Sequence, residues 1–117
     1  MTEDRRLGMR EHGDVLILAL LDRQLTSDLA ASVGEEFSAA AAREEFKKVL
    51  LDFSAVDFIC SDVLAKLVIL NKRLRQKGGK LKLCGVCPHI REILHITKLD
   101  TILDIAASEQ DALLAFA

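Results

Sequence analysis

Hydrophobic positions along this chain recur with two different periods, and the switches between them mark the elements. Leu7 to Leu21 reads as a hairpin: Glu11-His12-Gly13-Asp14 supplies turn chemistry, and Val15 to Leu21 is an unbroken apolar run of strand length. Thr26 offers an N-cap. After it Leu29, Val33, Phe37 and Ala40/Ala41 recur at helical spacing, predicting a helix that reaches Glu44 or Phe46. Lys48 to Phe53 is a short apolar run expected to form a buried strand. A second helix is predicted from Ser61, with Leu64, Leu67, Val68 and Leu74 on its apolar face and Asp62, Lys66, Arg73 and Lys77 opposite. Gly78-Gly79 stops that helix, and Lys80 to Val86 returns to strand character. Pro88 suits the first position of a third helix whose Ile90, Ile93 and Leu94 face inward. Thr101 to Ala106 predicts a last strand, and Ser108, with Asp111 three residues on, caps a final short helix.

The order is β-β-α-β-α-β-α-β-α. Strands alternating with helices predict an α/β fold, a mostly parallel sheet with helices packed against it and the initial hairpin adding an antiparallel edge strand. No repeat, low-complexity stretch or linker interrupts the 117 residues, so residues 1–117 are expected to form a single domain. A chain of 12.9 kDa should remove roughly 12,000 Å² from water on folding, enough for a core without metal or disulfide staples. That core must be aliphatic, because the only aromatic residues are five Phe.

Charge and targeting signals narrow the setting. Sixteen basic against eighteen acidic side chains leave a net charge of -2, which gives no reason to expect nucleic acid as a partner. No apolar run approaches the ~20 residues that cross a bilayer, and the charges of Met1 to Arg10 have no signal-peptide stretch behind them. The odd set Cys60, Cys84 and Cys87 does not suit a disulfide framework. A cytoplasmic protein without a membrane partner is expected. With no apolar patch evident outside the predicted helix faces, so is a monomer.

Little in the chain suggests catalysis. Gly78-Gly79 follows a helix and precedes a strand, the reverse of a phosphate-binding loop. His89 and His95 lie six residues apart, on opposed faces of one helix, and His12 is remote, so shared metal ligation is not expected; neither is a cofactor. Cys84-Gly85-Val86-Cys87-Pro88 is a C-x-x-C ahead of a helix, which could act as a dithiol redox site. Against this, Cys84 falls within the apolar rhythm of Leu81, Leu83 and Val86. The basic stretch Lys72, Arg73, Arg75, Lys77, Lys80 and Lys82 could form an anion-binding patch, but without interleaved aromatics it reads better as a solvated helix face running into a strand.

The remaining candidate is the turn Ser54-Ala55-Val56-Asp57-Phe58-Ile59-Cys60-Ser61-Asp62. Phe58-Ile59 is expected to tuck the turn down, and Ser61 arrives where the second helix starts. As an N-cap, its hydroxyl would accept from a first-turn amide, worth roughly 0.5–2 kcal/mol. A serine there is also a place where phosphate is tolerated, because free amides and the positive helix end stabilise a charge of about −1.5 to −2.

Several segments together resemble the STAS domain family (sulfate transporter and anti-sigma factor antagonist), in its free-standing antagonist branch. They are Leu21-Asp22; Val49-Leu50-Leu51-Asp52-Phe53-Ser54-Ala55-Val56-Asp57-Phe58-Ile59 and the serine turn after it; Gly78-Gly79-Lys80-Leu81-Lys82-Leu83-Cys84; and Ile93-Leu94-His95-Ile96-Thr97-Lys98-Leu99-Asp100. The resemblance implies a STAS-type fold without catalytic residues. The family's turn reads Asp-Ser-Ser/Thr-Gly-Leu, its first Ser the phosphate acceptor, and Cys60-Ser61-Asp62-Val63-Leu64 stands there, so Ser61 takes the acceptor position. Cys60, Asp62 and Val63 depart from the pattern, and Asp62 sets a permanent charge beside the acceptor. The implied partner surface comprises Asp22, Asp57, Phe58, Ile59, Cys60, Ser61, Asp62, Val63 and Lys66.

The implied role is partner switching. The unmodified protein binds an anti-sigma factor, often a GHKL-type serine kinase, and so frees a sigma factor. The kinase phosphorylates the serine, affinity falls, and a separate serine phosphatase restores it. A STAS-like scaffold or adaptor without phosphoregulation is the alternative that the three departures favour.

Overall fold

Why the second strand is apolar throughout becomes plain from its neighbours. The computed structural model describes residues 7–116. The edge strand β1 (Leu7–His12) turns through Gly13-Asp14 into β2 (Val15–Leu20), and the two pair antiparallel from Leu7↔Leu20 to His12↔Val15. Gly13 carries φ 59°, a left-handed value at the first loop residue, where a two-residue hairpin of the II′ type places glycine. A two-residue strand β3 (Gln24–Leu25) and a 3-10 turn (Ser27–Leu29) lead into α1 (Ala30–Ala41). Then follow β4 (Lys48–Asp52), a two-residue β5 (Phe58–Ile59), α2 (Ser61–Gln76), β6 (Lys80–Cys84) and α3 (Pro88–Ile96). A 3-10 turn (Leu99–Thr101), β7 (Asp104–Ile105) and α4 (Glu109–Phe116) complete the described chain.

The main sheet runs β1-β2-β4-β6-β7, parallel except for the β1–β2 pair. Alternate residues of β2 and β4 feed two separate cores, as the period of a strand requires. Leu16, Leu18, Leu20, Val49 and Leu51 join Val33, Phe37, Leu67, Leu70, Leu74, Ile90 and Leu94 under α1, α2 and α3. On the other face Val15, Ile17, Leu50 and Cys84 pack with Ala112 and Phe116 of α4. A strand covered on both faces carries no polar alternation, hence the continuous run Val15–Leu20. Arg10 Nη2, 2.6 Å from Glu109 Oε1, ties α4 to the edge strand.

The predicted α/β architecture and sheet polarity agree with the structure. Several boundaries differ. Thr26 precedes a 3-10 turn instead of capping the helix directly, and its hydroxyl donates to Asp28 Oδ1. The helix ends at Ala41, before Glu44; Phe46 is still buried, reaching the core from a loop. The last strand is confined to Asp104–Ile105, because the three residues Leu99–Thr101 coil into a 3-10 turn. β3 and β5 have no counterpart in the expected order; two residues cannot reveal a period.

The glycine stop and the last helix start hold in detail. After Lys77, Gly78 takes φ 79°, its N–H donating to Arg75 O at 3.0 Å while the Gly79 N–H donates to Leu74 O at 2.7 Å. That is the paired C-terminal closure of a Schellman motif. A Cβ on Gly79 would lie 2.2 Å from Lys47 O, so no other residue fits without movement. At α4 the Asp111 N–H donates to Ser108 Oγ at 3.1 Å, the expected cap.

Candidate functional site

The turn that carries Ser61 is held by a small second sheet. β3 and β5 pair parallel, Gln24 opposite Phe58 and Leu25 opposite Ile59. The Asp57 N–H donates to Arg23 O at 2.8 Å, and the Cys60 N–H donates to Leu25 O at 2.9 Å. Leu25, Ile59 and Val63 are buried beneath this ladder. From the other side, the Phe53 N–H donates to Cys84 O at 2.9 Å, fastening the loop after β4 to the end of β6. Asp52 Oδ1 accepts from the Ser54 N–H at 2.9 Å, and Gly85, with φ 68°, passes so close that a Cβ would meet Ser54 Oγ at 2.5 Å. The chain is thus anchored on both flanks before it enters α2.

Cys60, not Ser61, occupies the N-cap. It has φ −89° and ψ 168°, and its side chain makes no capping bond. This corrects the expectation of a capping serine: Ser61 is the first residue of the helix itself, and it is exposed. The first helical bond runs from the Leu64 N–H to Cys60 O at 3.1 Å, so the amides of Ser61, Asp62 and Val63 lie ahead of it, at the positive helix end. Cys60 Sγ lies 3.9 Å from Ser27 Oγ, a long contact that brings the 3-10 turn against the start of α2.

The other candidate residues divide by orientation. Phe58 is 39% exposed whereas Ile59 is 3% exposed, so only Ile59 tucks the turn down and Phe58 is presented outward. Val63, at 1%, points into the core and supports the surface from beneath. Asp62 is exposed and Asp22 half-buried. Asp57 accepts from Arg23 Nη2 at 2.8 Å. Lys66 is half-buried and lies away from the turn, its stem across α1: a Cβ on Gly34 would meet Lys66 Cδ at 2.8 Å. Asp22 and Asp57 to Val63 therefore flank one exposed turn, with Lys66 over a turn further along the helix.

Arg23, Thr26, Ser27 and Asp28 share this surface and were not singled out from sequence. The polar run Thr26-Ser27-Asp28, set directly after a buried strand's exit loop, is the signal that could have drawn attention to them. Arg23 had none, since its partner Asp57 is 34 positions away.

Reactive thiol chemistry finds no support. Cys84 is 1% exposed, and burial pushes its thiol up to about 11, aided by the negative charges of Asp52 and Glu109. Cys87 is half-buried at the N-cap of α3, again without a side-chain capping bond. Among the described residues no three His, Cys, Asp or Glu side chains converge as metal ligands, and His95 Nδ1 lies 2.9 Å from Asp100 Oδ2. Nor, among them, is any helix long and apolar enough to cross a membrane.

The sequence and fold have clear relatives. The STAS domain model matches residues 6–112. The BtrV protein of Bordetella bronchiseptica, which carries the name of an anti-sigma factor antagonist, is 33% identical over 103 residues, 88% of each chain. The anti-sigma F factor antagonist of Paenibacillus polymyxa is 30% identical over 111 residues, 92% of each chain. An anti-sigma-factor antagonist (STAS) domain protein from Planctomyces limnophilus superposes with a TM-score of 0.88 at 25% identity, covering 98% of this chain and 100% of its own. Matched by the family model over residues 6–112, and with a mainly parallel sheet edged by an antiparallel pair among its described residues, this chain belongs to the STAS domain family.

Proposed function

We propose that this protein is an anti-sigma-factor antagonist: a single binding domain, without catalytic residues, that docks an anti-sigma factor and is released from it by phosphorylation of Ser61. The observation that carries this reading is an exposed serine at the first position of the 16-residue helix α2. The amides that precede the helical hydrogen bonds would stabilise a phosphate dianion there, so modification need not disturb the fold. It would instead change the charge of the surface made by Asp22, Arg23, Asp57, Phe58 and Asp62. The names of the two curated relatives supply the partner class.

The partner on this reading is a GHKL-type serine kinase, a serine phosphatase reverses the mark, and the exchange takes place in the cytoplasm to regulate sigma-factor-dependent transcription. Adding charge to a desolvated contact could cost several kcal/mol, and each 1.4 kcal/mol is tenfold in affinity. The test is affinity capture with wild-type and Ser61→Glu baits, followed by incubation of the captured kinase with ATP and mapping of the phosphate. Loss of the kinase by the glutamate bait, with phosphate on Ser61, is expected. Equal retention of one partner by both baits would instead favour a scaffold without phosphoregulation. One observation speaks for that second reading: exposed Asp62 gives the unmodified turn part of the charge that phosphorylation would add.

A further inference from the structure

Among the described residues, Asn71 is a largely buried polar residue whose side chain has no protein partner. It sits on the core side of α2, only 6% exposed, and no group among the described residues hydrogen-bonds its carboxamide. Its polar atoms are still reached by solvent, so the carboxamide is open to water or to a bound group. The side chain lines a cavity of about 390 Å³ with Arg75, Gly79, Lys80, Leu81 and Asp104.

A second unmet donor opens on the same cavity. The Lys80 N–H turns toward β4, donating to Lys47 O at 2.8 Å, so the next amide, that of Leu81, turns toward the β7 side. There β7 begins only at Asp104, opposite Lys82, and supplies nothing opposite Leu81. The Leu81 N–H therefore meets no acceptor among the described residues.

The charge of the corner is positive. Arg75 and Lys80 are exposed at its rim and form no ion pair among the described residues. The nearby carboxylate of Asp104 is engaged by Lys82 at 3.4 Å. At the negative end of α2 the Leu74 and Arg75 carbonyls are already engaged, accepting from the Gly79 and Gly78 N–H groups.

We propose that this corner, between the second half of α2 and the start of β6, binds the phosphate group of a small phosphate monoester. The Asn71 carboxamide and the Leu81 N–H donate to its oxygens, and Arg75 and Lys80 balance its charge. Ser61 lies ten residues earlier on the same helix, about 15 Å away along its axis, so the site stands apart from the switch. A soluble monoester and the headgroup of phosphatidic acid share this chemistry.

Titration of the full chain with glycerol 3-phosphate, followed by amide NMR at constant ionic strength, tests the soluble source. Saturable shifts of the Leu81 N–H and the Asn71 side-chain NH₂ are expected, with affinity falling about tenfold for each of Arg75→Gln and Lys80→Gln. Co-sedimentation with phosphatidylcholine vesicles, with and without phosphatidic acid, forms the second arm. Binding there alone, lost in the Arg75→Gln/Lys80→Gln double variant, would assign the phosphate to a lipid. Asn71→Leu should abolish binding in either arm, and the double variant decides should that protein not fold. Shifts no different from those in sodium chloride, together with vesicle binding that is absent or survives the double variant, would overturn the proposal.

Discussion

Arg23 Nη2 and Asp57 Oδ2 meet at 2.8 Å across the β3–β5 ladder, closing the exit loop of β2 onto the turn that presents Ser61. The pair is largely in water, Arg23 being 80% and Asp57 45% exposed, so it should orient the turn more than it stabilises the fold. A double-mutant cycle with Arg23→Ala and Asp57→Ala in urea should return a coupling of about 0.2–1 kcal/mol that shrinks as salt is added. A coupling several times larger and indifferent to salt would contradict that account.

Charge at the first position of α2 offers a direct check on the electrostatics of the switch. Ser61→Glu should be more stable than Ser61→Lys by about 0.5–1 kcal/mol at low ionic strength, since an anion complements the positive helix end and a cation opposes it. Thermal melts at low and high salt would register this, with the gap narrowing in salt. Were the lysine variant the more stable, a phosphate would have no local stabilisation to draw on.

Cys84 should give the fold an alkaline sensitivity. Its thiol in the folded protein lies at about 11, above the unfolded value near 9.0, so the folded state holds the proton more tightly. The stabilisation is fully present below about pH 9 and is lost as the pH climbs toward 11, by at most about 1.4 kcal/mol per unit. Urea midpoints across that range should fall more steeply for the wild type than for Cys84→Ala. In native protein at neutral pH, alkylation should spare Cys84 until the chain unfolds.

Two backbone positions predict opposite responses. Lys98 holds φ 62° at the end of α3, a left-handed conformation that costs a residue with a Cβ roughly 1–2 kcal/mol. Lys98→Gly should therefore stabilise the protein by about 0.5–1 kcal/mol in chemical denaturation. Gly79→Ala should cost about 1–3 kcal/mol or more, because the new methyl would press on the Lys47 carbonyl.

Periodicity alone determined most of the architecture. The runs Val15–Leu20 and Lys48–Asp52, the helical spacing within Ser61–Gln76, the Gly78-Gly79 stop and the Ser108 cap express local steric and burial rules that each segment carries in its own residues. The position of Ser61 at the mouth of α2 was legible for the same reason. What only the tertiary structure decided involves partners distant along the chain. The β3–β5 pairing, the Arg23–Asp57 bridge, the inward turn of Val63 and the outward turn of Phe58 all depend on segments tens of residues apart. So does the corner around Asn71, which exists because β7 is too short to cover the start of β6. A short-range pattern reports which face of an element is buried. It holds no record of what that face meets, since contact between remote segments is set by how the whole sheet and its helices pack.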